Sequence, residues 1–174
     1  MAIDQVLESL LRVPLFTGLK PLQIAEIGRR AERCAFRRGD LITKAGEPGD
    51  SAFLILSGDV GCRAADGGLE EPIEAGSLVG ELAMLVDHVY GVTAVARGWV
   101  DCLKLGRDAL YDQMRADPDI ADRIAYVIRG RLSLIKEELR AIDHLLMSSI
   151  ERCQVPQALL PPPRHGAVAA SPIH

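Results

Sequence analysis

The sequence has no apolar run approaching the ~20 residues a helix needs to cross a bilayer, so no segment is expected to span a membrane. Its opening, MAIDQVLESLL, carries an acid early and no basic stretch, which argues against a secretory signal. The cysteines Cys34, Cys62, Cys102 and Cys153 lie far apart with no CxxC among them. That spacing argues against a zinc or iron–sulfur centre and fits free thiols in a reducing cytoplasm, the expected location. Positive charge is not in excess: the net charge is −4, so nothing global favours nucleic acid or an anionic membrane. No GxSxG, HExxH, Walker loop or Cys–His pairing is present, and no enzyme chemistry is expected. What remains is an ordinary balance, 48% apolar and 25% charged over 174 residues, enough for one cored domain with appendages.

Three regions follow. Residues 1–35 read as helical: Val6, Leu7, Leu10 and Leu11 share a face, PLFTGL makes a bend, and Pro21 suits the first turn of a second helix carrying Leu22, Ile24, Ala25, Ile27 and Gly28. From Phe36 to Gly106, glycines at positions 39, 46, 49, 58, 67, 68 and 76 punctuate short strands. The strands are predicted at Leu41-Ile42, Ala52–Leu56, Val60–Ala64, Thr93–Ala96 and Val100–Leu105. Ala52–Leu56 is apolar on both faces, as a strand inside a sandwiched sheet should be. The fold class is therefore mixed α+β: an antiparallel jelly-roll barrel flanked by N-terminal helices and, over 107–151, C-terminal helices.

Asp117-Pro118 supplies an N-cap and a proline at the first helical position, predicting a long helix to about Glu151. Ile128, Leu132, Ile135, Leu139, Ile142 and Leu146 recur at alternating spacings of four and three, the seam of a coiled coil. A helix lying on its own barrel needs a similar stripe. Such a helix would be ~50 Å long, however, against a radius of gyration near ~13 Å for a ~100-residue domain. The seam therefore predicts a homodimer. Gly130, about 1 kcal/mol less favourable than Ala in a helix, marks a bend or a close crossing. Residues 152–174 hold five prolines and read as an extended tail suited to docking on a protein partner.

This arrangement, with PLFTGL at Pro14–Leu19, RRGDLITKAGEPGDSAFLILSGDV at Arg37–Val60, Gly76, GELAML at Gly80–Leu85 and Thr93, resembles the cyclic nucleotide-binding domain family. The long C-terminal helix resembles the dimer helix of its catabolite-activator class. The resemblance implies a phosphate cassette over 79–93 and cyclic AMP or cyclic GMP as ligand. It implies that Leu82 and Ala83 offer amides beyond Gly80 at a helix start. It further implies that Glu81 accepts a hydrogen bond from the ribose 2′-hydroxyl, and that Gly91 and Val92 close on the phosphate, with Thr93 in the following strand.

The sequence departs from the family at Tyr90, where an arginine would pair with the phosphate. Tyrosine brings one neutral donor. Losing such a partner costs on the order of 2–5 kcal/mol, about 30-fold to several-thousand-fold in affinity. Asp87 and His88 adjoin the site and Arg97 lies across a strand, so no substitute cation is evident; Val79 stands where the family has phenylalanine. Haem ligation by His88, His144 or a cysteine lacks a matched partner. Beyond Glu151 no helix-turn-helix is predicted, so DNA binding is not expected. Two readings stay open: a sensor that takes a small anion at Gly80–Val92 and signals through its dimer helix, or a scaffold subunit that has kept the fold and lost the ligand.

Overall fold

The computed structural model describes residues 3–64, 68 and 70–153. In chain order the elements are α1 (Ile3–Leu11), a 3₁₀ turn at Pro14–Phe16, α2 (Pro21–Arg30), β1 (Glu32–Phe36), β2 (Leu41–Thr43), β3 (Pro48–Gly49), β4 (Ser51–Ser57) and β5 (Val60–Ala64). There follow β6 (Glu71–Ile73), β7 (Leu78–Val79), α3 (Glu81–Leu85), β8 (His88–Val89), β9 (Val92–Ala96), β10 (Val100–Gly106), α4 (Arg107–Ala116) and α5 (Pro118–Cys153). Two compact units divide between Arg131 and Leu132.

In the first unit, α1 and α2 pack closely because residue 28 is glycine: a Cβ there would sit 2.8 Å from Leu10 Cδ1. Pro21 opens α2 as expected, and the Lys20 N–H donates to Gln23 Oε1 at 2.8 Å, satisfying a group the helix start leaves unpaired. Two expectations shift here. The helical region stops short of Ala35, because Glu32–Phe36 pairs antiparallel with β10 and the sheet claims those residues. Leu22 leaves the apolar face: it is 84% exposed, whereas Ile24 and Ile27 are buried.

All five predicted strands are present. Together with β1, β6 and β7, which were not predicted, they form two four-stranded antiparallel sheets, β1-β10-β4-β7 and β2-β9-β5-β6, and β3 and β8 add a two-stranded ribbon. Strand β4 is buried on both faces. Ala52 and Leu54 join Leu10, Leu15, Phe16, Ile24 and Met84 in a core under the helices. Phe53 and Ile55 turn the other way into a second core with Val60, Val79, Ala94, Val100 and Cys102 between the sheets. Strand β10 repeats the division, Leu103 and Leu105 facing the helices.

The α5 start follows the sequence: Asp117 Oδ1 accepts from the Asp119 N–H at 3.2 Å, and its Oδ2 accepts from Gln23 Nε2 at 2.7 Å, fastening the cap to α2. Ile120 and Ile124 are buried, and Ile128 packs on the same core. Ile128 is thus half-buried against the core of its own unit. In the second unit, Leu132, Ile135, Leu139, Ile142 and Leu146 are 52–62% exposed. Among the described residues, a Cβ at Gly130 would meet nothing within 4 Å, so no close crossing with them explains that glycine. Of the expected tail, 152–174, Arg152 and Cys153 continue α5, and the rest lies outside the described residues.

The two faces of the first core give a paired prediction. Leu54→Ala, at a fully buried site, should cost about 2–5 kcal/mol in urea unfolding. Leu22→Ala should stay within about 0.5 kcal/mol of the parent; a loss comparable to that of Leu54→Ala would show that Leu22 packs.

Candidate functional site

Gly80, between β7 and α3, adopts a left-handed φ of +82° that L side chains rarely accept. That turn starts α3 with Glu81 at its head; Ala83 is buried and Leu82 is 56% exposed. The short helix is held from outside. The Tyr111 hydroxyl donates to the Leu85 carbonyl at 2.6 Å. Arg107 Nε donates to the Ala83 carbonyl at 2.9 Å, and its Nη2 donates to the Gly49 carbonyl. Arg107 also reaches Asp87 at 3.5 Å. It is one of two cations beside the cassette that sequence reasoning missed, the other being Arg131. One signal existed: an arginine at the first residue of α4 opposes the helix dipole, which suggests that its charge is held elsewhere.

Tyr90 turns inward. A Cβ at Gly49 would lie 2.6 Å from Tyr90 Cζ and 2.6 Å from Ala83 Cβ, and one at Gly80 would lie 2.8 Å from Tyr90 Cε1. The ring therefore fits against Gly49 and Gly80 only because neither carries a side chain. Its hydroxyl donates to the Ser51 carbonyl at 3.1 Å, so its one donor is committed within the protein. Its backbone is tied as well: the Tyr90 N–H donates to Glu47 O at 2.9 Å and the Gly46 N–H donates to Tyr90 O at 2.8 Å. Burial, and then the Asp50 charge, push the Tyr90 phenol above its ordinary pKa, so the side chain is neutral at physiological pH.

Glu81, expected at the ribose, accepts from Arg131 Nη1 of α5 at 2.6 Å, and both side chains are partly buried. No sequence signal links positions 50 residues apart. Thr93 Oγ1 accepts from the Ala45 N–H at 3.1 Å, and Thr43 Oγ1 donates to the Val92 carbonyl at 3.0 Å, so the start of β9 is stitched to β2. Gly91 is exposed. The structure thus gathers Gly80, Glu81, Ala83 and Tyr90 at one turn. Val92 stands instead, with Val79 and Gly80, on the wall of a cavity of about 460 Å³ that extends to Cys62, Ile73, Glu74 and Ser77. Among the described residues no group of three or more His, Cys, Asp or Glu side chains is placed to hold a metal ion. No helix among them is long and apolar enough to cross a membrane.

Comparison with known proteins agrees with this fold. The family described as "Cyclic nucleotide-binding domain" matches residues 33–117. A "cAMP-dependent protein kinase regulatory subunit" of Emericella nidulans is 35% identical over 120 residues, 67% of this chain and 29% of that protein. A "CRP-like cAMP-activated global transcriptional regulator" of Mycobacterium tuberculosis is 31% identical over 129 residues, 72% of this chain and 58% of that one. The chain therefore spans less than two thirds of the length of either relative. The solved N-terminal domain of a transcriptional regulator from Streptomyces coelicolor A3(2) superposes with a TM-score of 0.67 at 27% identity, covering 75% of this chain and 94% of that one.

The two arginines at the cassette should behave differently. Arg107→Met leaves two inward carbonyls without a charged donor and should cost about 2–4 kcal/mol in urea unfolding. Arg131→Met should cost under about 1 kcal/mol, and less at high salt; equal losses would refute the distinction. The raised phenol pKa also fixes a sign. Tyr90 stabilises the fold fully below the ordinary tyrosine value of about 10, and that contribution is lost as pH rises through its higher folded value. The alkaline fall in melting temperature should be shallower in Tyr90→Phe than in the parent. Identical pH profiles would place the ring in water.

Proposed function

Through residues 33–117 the chain belongs to the cyclic nucleotide-binding domain family, and from that premise we propose that it is a non-enzymatic regulatory module whose phosphate site has lost its cation. The observation that carries this reading is Tyr90: a neutral ring whose hydroxyl is committed to Ser51 O. The other cations nearby are engaged, Arg107 on two carbonyls and Arg131 on Glu81. A cyclic nucleotide arriving at Gly80–Thr93 would find no guanidinium for its phosphate and would share Glu81 with Arg131. Cyclic AMP and cyclic GMP therefore bind weakly, in a cytoplasmic setting, and the module acts chiefly through other copies or protein partners.

The exposed stripe Leu132, Ile135, Leu139, Ile142 and Leu146 supports output through a homodimer. The second reading, a scaffold subunit without any ligand, draws on the same stripe and on the inward seat of Tyr90.

Two experiments test these readings. In calorimetry Tyr90→Arg should bring cyclic AMP binding from weak or absent to measurable, a gain of a few kcal/mol. The gain should shrink with salt, and Glu81→Ala in that background should remove part of it. Tight cyclic AMP binding by the parent would sink the proposal. For assembly, replacing Leu132 and Leu139 together by aspartate should convert the protein to a monomer in light scattering; a parent that is already monomeric refutes the dimer.

A further inference from the structure

Cys34 and Cys102 are 68 residues apart in the sequence and directly opposite one another in the fold. Strands β1 and β10 pair antiparallel with Cys34 against Cys102, and residues opposed in this way put their side chains on one face of the sheet. The packing agrees: Cys102 is buried between the sheets, and Cys34 packs half-buried against that same cluster. Cys34 Sγ donates to the Cys102 carbonyl at 3.8 Å. Opposed antiparallel residues have Cα atoms about 4.5–5.5 Å apart, inside the roughly 4.4–6.8 Å that a disulfide spans. Both cysteines are free thiols in this structure. Cys62 of β5 has no such partner, since it faces Glu71 on β6 and Ala94 on β9.

The place in the sheet gives a bond between them something to hold. Strand β1 is an edge strand, bonded within its sheet to β10 alone, whereas β10 lies between β1 and β4. Local opening starts where backbone bonding is one-sided and exposed, as it is along such an edge.

We propose that Cys34 and Cys102 are an oxidisable pair, which a low-molecular-weight disulfide converts to a cross-strand bond locking β1 to β10. The half-buried Cys34 sulfur attacks one sulfur of the oxidant, forming a mixed disulfide and releasing one small thiol. The Cys102 sulfur then attacks the Cys34 sulfur, the second small thiol leaves, and the Cys34–Cys102 bond forms. The two protons and two electrons given up by the protein end on the two released thiols. Burial, before any neighbouring charge, pushes both protein thiols up, Cys102 to about 12, so exchange in the folded protein is slow and needs sustained oxidant.

The test uses the full chain with Cys62→Ser and Cys153→Ser, incubated with oxidised glutathione under native conditions, then non-reducing peptide mapping and thermal melts. The same mapping on the parent, whose four cysteines fall at separate places in the sequence, covers any loss of stability caused by the serines. A peptide pair joined through Cys34 and Cys102 should accumulate, with no retained glutathione and no covalent link between chains. Closing so long a loop should raise the melting temperature by ~5 °C or more, and dithiothreitol should reverse the rise. Cys34→Ser should leave Cys102 unmodified in the folded protein and abolish the rise. A glutathione adduct that persists on Cys34 beside a free Cys102 overturns the proposal, as does a link that forms only in urea. No reaction at either thiol overturns it too. So does a linked product that melts below the reduced protein, because the sheet would then have to distort to accept the bond.

Discussion

Strand β4 is the constraint on which the architecture turns. Its residues alternate between two cores, Ala52 and Leu54 beneath the helices, Phe53 and Ile55 between the sheets, and β10 follows the same alternation beside it. A strand with period-two alternation normally hides one face; here both are apolar, so the pair needs cover on both sides. The helices α1, α2, α4 and the first turns of α5 are that cover on one side, and the sheet β2-β9-β5-β6 is the cover on the other. The cassette inherits its position from this arrangement. Met84 of α3 drops into the helix-side core while Val79, just before the turn, sits in the inter-sheet core, so Gly80 is placed where the chain passes between them.

At that turn, packing stands where the family resemblance implies a charge. The guanidinium expected at position 90 would face a ligand; the tyrosine found there faces Gly49, Gly80 and the carbonyl of Ser51. Cations are still plentiful around the cassette, but they serve the protein itself. Arg107 binds α3 to β3 through two carbonyls, and Arg131 binds α5 to the head of α3 through Glu81. Glu81 therefore has a structural role of its own, holding Arg131 of α5 at the head of α3.

Much of this was legible in the residues. Glycine spacing and short β-branched runs located β2, β4, β5, β9 and β10, and Asp117-Pro118 marked the start of α5. Strand β1 was not legible because Glu32–Phe36 follows a helix with no strong turn signal and gains its conformation from pairing with β10, a long-range event. The stripe on α5 carried a true period but could not say where burial ends: Ile128 belongs to the core of the first unit, and the exposed set begins at Leu132. The substitution at position 90 was readable as a missing charge. Its inward packing was not, since that depends on two glycines 31 residues apart meeting one ring.

The backbone tethers of Tyr90 have a kinetic meaning. With its N–H and carbonyl both bonded to the 44–47 turn, the residue cannot swing aside as part of a loop. Motion of the ring is left to rotation about its own side-chain bonds, at the expense of one hydrogen bond to Ser51 O. Rotamer changes are faster than hinge or lid movements, though a packed ring turns more slowly than an exposed one. Clearing the ring from this turn therefore requires only its side-chain torsions, with no rearrangement of the backbone that holds it.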